Sequence, residues 1–440
     1  ANGKTTKTTL TITKVEKTGL CSRENLGYKA EVDQQGNSCT SHPTPQFAKA
    51  NNAKATLNGV EVTRTVEGTP YYYPATTYPN YFCTPTIMEG HPVMSEEGFN
   101  KITYTFAKPI TKVQVWLSGF GGTLTHSDSA DFAVECTGGN PNLNLSVTDC
   151  NNTAESNLVT KSGNRITSKQ GKYFQAMVQV SADKPFTKLV IYKGEANAFQ
   201  AGGYLVELCP TSVKLPEIAV TQEPADKKAC AAQTGISFTA NAKMEGVTGD
   251  LSVQWQRTKT PATETSWANA PGTASGTVKA DGTGSTTLTL PAIVAADKDY
   301  YYRAQFSYNA CGTAITKASD KAKLEIPSDS DIITIQATQP VNVTTNNCTG
   351  TTTINAQAKI ASGYTIKNSG GNIFGYFLEY KDSNNAWQTY NGQQYSNNTS
   401  EQARTLSIAH SSAPAGVTTF RLRYSVTLTT GCEYTLTTNE

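Results

Sequence analysis

The residues best suited to ligand contact form a tyrosine-rich stretch in the first hundred positions. Tyr71, Tyr72, Tyr73, Tyr78 and Tyr81 are interleaved with prolines at positions 70, 74 and 79. Such a run cannot form a regular central strand. A rigid aromatic loop can stack on sugar rings or on an apolar partner surface with little loss of entropy. We therefore predict a ligand-binding loop here. The alternative is a loop that packs over its own domain.

A second candidate is an acidic turn that contains Asp128 and Asp131. Carboxylates and backbone carbonyls in such turns are the ligands that calcium prefers. Two acids are few for a calcium site, so a solvated turn is the alternative. We expect no cofactor other than this structural calcium.

Residue patterns that indicate catalysis are missing from the sequence. It contains no GxSxG elbow, no HExxH pair and no P-loop, and its four histidines are well separated. His126 precedes Ser127 and Asp128, but sequence neighbours rarely have the geometry of a catalytic triad. We predict that the protein binds a partner and is not an enzyme.

Charge and hydropathy exclude two classes of partner. Only 16% of the 440 residues are charged and the formal net charge is +2, so no strong field is available to attract nucleic acid. No apolar run approaches the 18 or so residues of a membrane span. We expect neither nucleic-acid binding nor direct membrane insertion.

Cysteine usage indicates the compartment. The ten cysteines are even in number and dispersed, without a CxxC pair or a zinc-type Cys/His cluster. A disulfide framework is the better interpretation, and it requires an oxidising compartment. We therefore predict a secreted protein at the cell surface.

Hydropathy alternates with period two along most of the chain, as in Thr9–Thr13, Lys112–Leu117 and Thr286–Leu290. This pattern predicts half-buried antiparallel strands, and the turns rich in Gly, Asn and Pro indicate β-sandwiches. The length suits about three domains. We predict an all-β protein with domains at residues 1–215, 216–327 and 328–440.

The second and third of these domains are copies of one repeat. Cys230 and Cys311, 81 residues apart, correspond to Cys348 and Cys432, 84 residues apart. Equivalent cysteines imply bridges Cys230–Cys311 and Cys348–Cys432, and pairing across the repeats is the alternative. After Cys432 the sequence is too short for a full last strand. We therefore expect the third domain to be incomplete, as in an N-terminal excerpt of a longer repeat protein.

The two repeats resemble immunoglobulin-like domains. Trp255 stands where the core tryptophan of that fold would lie, and Asp299–Tyr302 resembles the start of strand F. The cysteines flank their strands, whereas in antibody domains they lie in mid-strand. That pattern resembles the repeats of exported Bacteroidetes-type surface proteins, including gliding and adhesion proteins. The resemblance implies a stalk that carries a binding domain.

Residues 1–215 resemble a jelly-roll sandwich of the carbohydrate-binding kind. The likeness is carried by the strands around Phe99–Ile110, Asp131–Cys136, Phe186–Tyr192 and Gly202–Leu208. Six cysteines fall in this region. We predict a local bridge Cys136–Cys150 and leave the pairing of Cys21, Cys39, Cys83 and Cys209 open.

These observations favour a cell-surface adhesin whose partner is a glycan, or a host or abiotic surface. One alternative is a carbohydrate-binding region of a secreted glycan-degrading enzyme. Another is a structural subunit that binds other copies of a surface assembly, with Thr8–Lys14 adding a strand to a neighbour.

Overall fold

The computed structural model describes residues 30–32, 38–40, 47–68, 93–94, 99–121, 127–149, 159–169, 173–194, 204–335, 343–346, 350–367, 374–390, 394–396, 401–409, 417 and 419–438. Within these ranges the regular structure is almost entirely strand, as the alternating hydropathy predicts. The all-β sandwich architecture is confirmed. The described α-helix is one turn long, Asp329–Ile332 (α1).

Buried side chains form three separate clusters in chain order. They span residues 47–213, 218–326 and 332–434. We refer to the parts of the chain around these clusters as the first, second and third domains. Each cluster provides the apolar burial that holds its own sandwich together.

The first domain is built around two strands that are far longer than usual. β6 and β11 have 23 and 22 residues, whereas strands of 3 to 10 residues are typical. The strands are β1 (Ala30–Val32), β2 (Ser38–Thr40), β3 (Ala53–Leu57), β4 (Val60–Gly68), β5 (Val93–Met94), β6 (Phe99–Gly121), β7 (Ser129–Glu135), β8 (Leu143–Asp149), β9 (Val159–Ser162), β10 (Arg165–Ser168), β11 (Tyr173–Gly194) and β12 (Tyr204–Leu208).

Each long strand serves two parts of the sandwich. The first half of β6 pairs with β4 and its second half with β12, while the two halves of β11 pair with β8 and β7. The pairing of β6 with β11 shifts register around Phe186. Irregularities of this kind bend strands. The ten-stranded sheet therefore folds over the first hydrophobic cluster.

The second domain has the strand order of an immunoglobulin-type sandwich. One sheet has the order β13-β15-β20-β18 and the other the order β14-β23-β21-β16-β17. The strands are β13 (Ile218–Gln222), β14 (Lys227–Lys228), β15 (Ser237–Met244), β16 (Asp250–Thr258), β17 (Ala268–Asn269), β18 (Thr273–Ser275), β19 (Val278–Lys279), β20 (Thr286–Thr289), β21 (Tyr301–Ala310), β22 (Thr313–Ala318) and β23 (Ala322–Glu325).

The core of this domain follows from side-chain alternation. Phe238, Ala240 and Ala242 of β15 are buried, and so are Ala304 and Phe306 of β21. Trp255 is 1% exposed, and its indole N–H donates to Thr286 Oγ1 at 3.1 Å. It therefore occupies the core position that the immunoglobulin resemblance implies.

The third domain repeats much of this arrangement. Its strands are β24 (Ile333–Ile335), β25 (Val343–Asn346), β26 (Thr351–Ile360), β27 (Phe374–Lys381), β28 (Trp387–Thr389), β29 (Gln394–Ser396), β30 (Glu401–Ala409), β31 (Phe420–Thr427) and β32 (Glu433–Thr437). One sheet contains β24, β25, β26 and β30, and the other has the order β28-β27-β31-β32, with β29 also pairing with β27.

Backbone register gives exact equivalences between the two repeats. The Ser319 hydroxyl accepts from the Ala304 N–H, and the Thr438 hydroxyl accepts from the Leu422 N–H in the same way. Leu378 lies opposite Leu422, so it takes the place of Trp255. Within the described residues, which end at 438, the third domain has no counterpart of β23.

Candidate functional site

The predicted aromatic site lies outside the described residues. Tyr71, Tyr72, Tyr73, Tyr78 and Tyr81 all fall between residues 69 and 92. The binding role of this loop stays a prediction.

The acidic turn is described, and its two carboxylates have different surroundings. The Asp131 carboxylate on β7 accepts hydrogen bonds from Nε and Nη2 of Arg165 on β10, at 2.7 and 2.6 Å. Asp128 is buried, and its backbone exchanges hydrogen bonds with Ser168. Burial raises the pKa of the Tyr204 phenol, and the charges of Asp128 and Asp131 raise it further.

The structure gives no support for calcium at this turn. Both carboxylate oxygens of Asp131 are already bound by a guanidinium. Among the described residues, no group of three or more His, Cys, Asp or Glu side chains is arranged to hold a metal ion. Ser129 between the two acids is fully buried.

The predicted disulfide pairing is wrong. Cys311 bonds to Cys136 and Cys432 bonds to Cys230, so the bridges Cys230–Cys311 and Cys136–Cys150 do not form. The bridge Cys348–Cys432 is excluded because Cys432 is already paired. Cys348 and Cys150 themselves lie outside the described residues. Each bond joins two consecutive domains. Cys230–Cys432 is the pairing across the repeats that stood as the alternative, whereas Cys136–Cys311, which joins the first domain to the second, was not predicted.

Strand geometry explains why Cys230 and Cys311 of the same repeat do not pair. β14, just before Cys230, pairs with β23 beside the first residues of β21. Cys311 follows the last residue of β21. A ten-residue strand spans about 33 Å, far beyond the 7 Å limit between bonded cysteine Cα atoms. The two cysteines of one repeat therefore lie at opposite ends of the sandwich, each facing a different neighbouring domain.

Further contacts surround the disulfide at the first junction. The backbone N–H and the hydroxyl of Thr248 both donate to the carbonyl oxygen of Asp183, at 2.8 and 3.1 Å. Lys214 forms an ion pair with Glu245 and lowers the pKa of that carboxyl. The Glu245 side chain is 78% exposed, so this pair contributes little free energy. The covalent bond is the dominant link.

The second junction is held in a similar way. Cys230, which belongs to the second domain, packs against the core of the third. The Lys228 ammonium lies 4.9 Å from the centre of the Tyr364 ring. Ile332 of α1 is fully buried in the third core, so the connecting segment itself is anchored.

A polar groove opens between the first and second domains. We call it the junction groove, and its volume is about 940 Å³, at the upper end of the range for ligand sites. Its floor comes from β6, β8 and β11, and its walls from the segment 211–217 and from Glu245 and Gly246 of the second domain. No sequence motif predicts this groove, because its lining residues are spread over nearly 190 positions of the sequence.

Three carboxamides share the groove floor, and we call them the amide floor: Gln114 on β6, Gln179 on β11 and Asn144 on β8. Gln114 lies directly opposite Gln179, and Asn144 lies opposite the neighbouring Ser181. Within the described part of the chain, their side-chain amides make no hydrogen bond, although Gln114 and Gln179 are half-buried. Their donors and acceptors are therefore available to a ligand.

Both repeats carry a stacked cation on the outer face of one sheet. The Arg303 guanidinium lies 4.1 Å from the Trp267 ring centre, and Arg421 lies 4.0 Å from that of Trp387. Arg303 also donates to both carboxylate oxygens of Glu264. Because it recurs at equivalent positions and its charges are paired, this stack acts as a structural clamp between strands.

Comparisons with known proteins show no family for this chain. No protein-family model matches the chain, and no curated protein does. A solved structure of a DUF4785 family protein from Legionella pneumophila matches at 11% identity with a TM-score of 0.20, covering 84% of this chain and 99% of the other. At that TM-score the likeness carries no argument. No helix in the described residues is long and apolar enough to cross a membrane.

Proposed function

We propose that this protein is an extracellular adhesin-type binding protein, in which the immunoglobulin-like domains form a stalk that presents the first domain. The observation that carries the proposal is the disulfide at each of the two domain junctions. Domains joined by a single linker normally move relative to one another. A second covalent connection restrains that motion, which is what a stalk requires.

The disulfides also support the proposed location. Such bonds persist in the periplasm, on cell surfaces and in secreted proteins, and they are rare where glutathione keeps thiols reduced. We therefore propose a secreted protein at the cell surface. A binding role without catalysis fits the absence of catalytic motifs from the sequence. The alternative of strand addition by Thr8–Lys14 concerns residues outside the described ranges.

Small-angle X-ray scattering tests the restrained stalk. The oxidised protein should give a well-defined maximum dimension, and the double variant Cys136→Ser/Cys311→Ser should give a broader distance distribution, because one junction then has a single linker. Identical curves for the two proteins would remove the support for a stalk.

Adhesion itself is tested with protein-coated beads on bacterial, host and abiotic surfaces. The wild-type protein should retain beads on at least one of these surfaces above the level of beads coated with albumin. Failure on all of them would contradict the adhesin proposal.

A further inference from the structure

We propose that the junction groove is a binding site for an uncharged oligosaccharide, and that the Cys136–Cys311 bond holds it in shape. This inference deepens the proposed function by assigning its ligand class and a location other than the tyrosine loop. Three properties of the groove carry it: the state of its backbone, its low net charge and its position at a locked junction.

The backbone of the two central floor strands is not available to a ligand. β6 pairs with β11 on one side and bonds to β12 and the segment 209–214 on the other, and β11 lies between β6 and β8. Among the described residues β8 pairs only with β11, so β8 is the edge strand of the floor. An extended peptide that adds a strand needs an open sheet edge. Gln114 and Gln179 lie on the face of the paired strands β6 and β11, so recognition at these two positions must come from their side chains. A ligand that binds there needs several hydrogen-bonding groups close together, as the hydroxyls of a sugar are.

The side chains of the amide floor match sugar hydroxyls chemically. Each carboxamide both donates and accepts, and so does a hydroxyl. Gln114 and Gln179 lie opposite each other on adjacent strands, where Cβ atoms are about 5 Å apart. Leu143 and Leu215 line the same groove, and Leu215 is 39% exposed. They offer apolar surface to the C–H groups of a sugar ring.

Charge in the groove is low in total, and one ion pair accounts for two of its five charged groups. Lys214 is neutralised by Glu245, and the carboxylate of Asp183 accepts two hydrogen bonds from Asn142. Lys112 and Glu217 add one charge of each sign. The lining therefore holds two lysines and three carboxylates, and this formal net charge of −1 does not favour phosphate, nucleic acid or a strongly acidic glycan. The expected ligand is therefore uncharged.

The disulfide connects the two sides of this groove. The floor belongs to the first domain, and one wall belongs to the second. Cys136–Cys311 and the bonds from Thr248 to Asp183 join these domains beside the groove. A site held in its bound shape avoids the entropic cost of ordering at the moment of binding. Loss of this bond should weaken binding without removing any ligand contact.

The experiment begins with an array of neutral tetra- to hexasaccharides, and the best binder is then titrated calorimetrically. Gln114→Ala and Gln179→Ala should each weaken affinity about tenfold, the effect of losing one or two hydrogen bonds. Gln305→Ala is the matched control, because Gln305 lies opposite Gln254 on a sheet face of the second domain, away from the groove. This variant should bind as the wild type does.

Two disulfide variants complete the test. Cys136→Ser/Cys311→Ser should weaken saccharide binding several-fold, whereas Cys230→Ser/Cys432→Ser should leave it unchanged because that bond lies at the other junction. The groove proposal is overturned if no array saccharide binds, if a peptide binds the groove instead, or if Gln114→Ala and Gln179→Ala bind normally. Retention of beads coated with these same variants would show that the adhesin proposal stands even where the groove proposal fails.

Discussion

Removal of the Cys230–Cys432 bond should destabilise the third domain selectively. When this domain unfolds with the bond intact, its chain stays fixed at both ends, at the linker near Pro327 and at Cys432. The closed loop is then about 105 residues long. The chain-entropy treatment assigns about 4.7 kcal/mol to a loop of this size. Engineered changes usually deliver less, so we expect the variant Cys230→Ser/Cys432→Ser to lose about 3–4 kcal/mol.

Hydrogen exchange followed by mass spectrometry resolves this effect by domain. Opening free energies at the amides of β27 and β31 should fall by the amount above, while those of β16 and β21 should change far less. The matched control is Cys136→Ser/Cys311→Ser, which removes the bond at the other junction. This control should leave β27 and β31 as protected as in the wild type. Equal loss of protection in both variants, or none in either, would refute the reasoning.

Two further predictions concern single side chains. The phenol of Tyr104 is fully buried without a hydrogen-bond partner in the described structure, and burial raises its pKa. The phenol ionises near pH 10 in the unfolded chain but stays neutral in the folded protein, so the free energy of unfolding should fall as the pH rises above about 10. Tyr104→Phe should raise the free energy of unfolding by about 1 kcal/mol at pH 7 and reduce its decrease at alkaline pH, both measured by urea titration. The control Tyr192→Phe, at an exposed side chain, should leave the free energy of unfolding at pH 7 unchanged. Arg303→Lys should lose the two-point contact with Glu264 and the stack on Trp267, and should therefore lower the urea midpoint of the second domain. An unchanged midpoint would contradict the clamp.

The sequence was sufficient to predict the fold class, because local alternation determines which residues are buried. Phe238, Ala240 and Ala242 alternate with polar neighbours, and the structure buries all three. Arg303 and Arg421 occupy equivalent positions of the two repeats, and both stack on tryptophans. Burial by alternation and equivalence between repeats both depend on the order of nearby residues, which can be read directly from the sequence.

Disulfide pairing and the junction groove could not be predicted in this way. Equivalence between Cys311 and Cys432 shows that they occupy the same place in two domains, but not which cysteine each one faces. One signal was present: the cysteines precede and follow their strands, and this places them at opposite ends of a sandwich. No sequence pattern predicted the groove, because the three residues of the amide floor come together only when β6, β8 and β11 pair.

The two disulfides also make the chain resistant to fragmentation. The loops that they close overlap, since one runs from Cys136 to Cys311 and the other from Cys230 to Cys432. Every peptide bond between Cys136 and Cys432 is therefore spanned by at least one of them. A protease that cuts once anywhere in this region releases nothing, and the nicked protein keeps its two ends covalently connected.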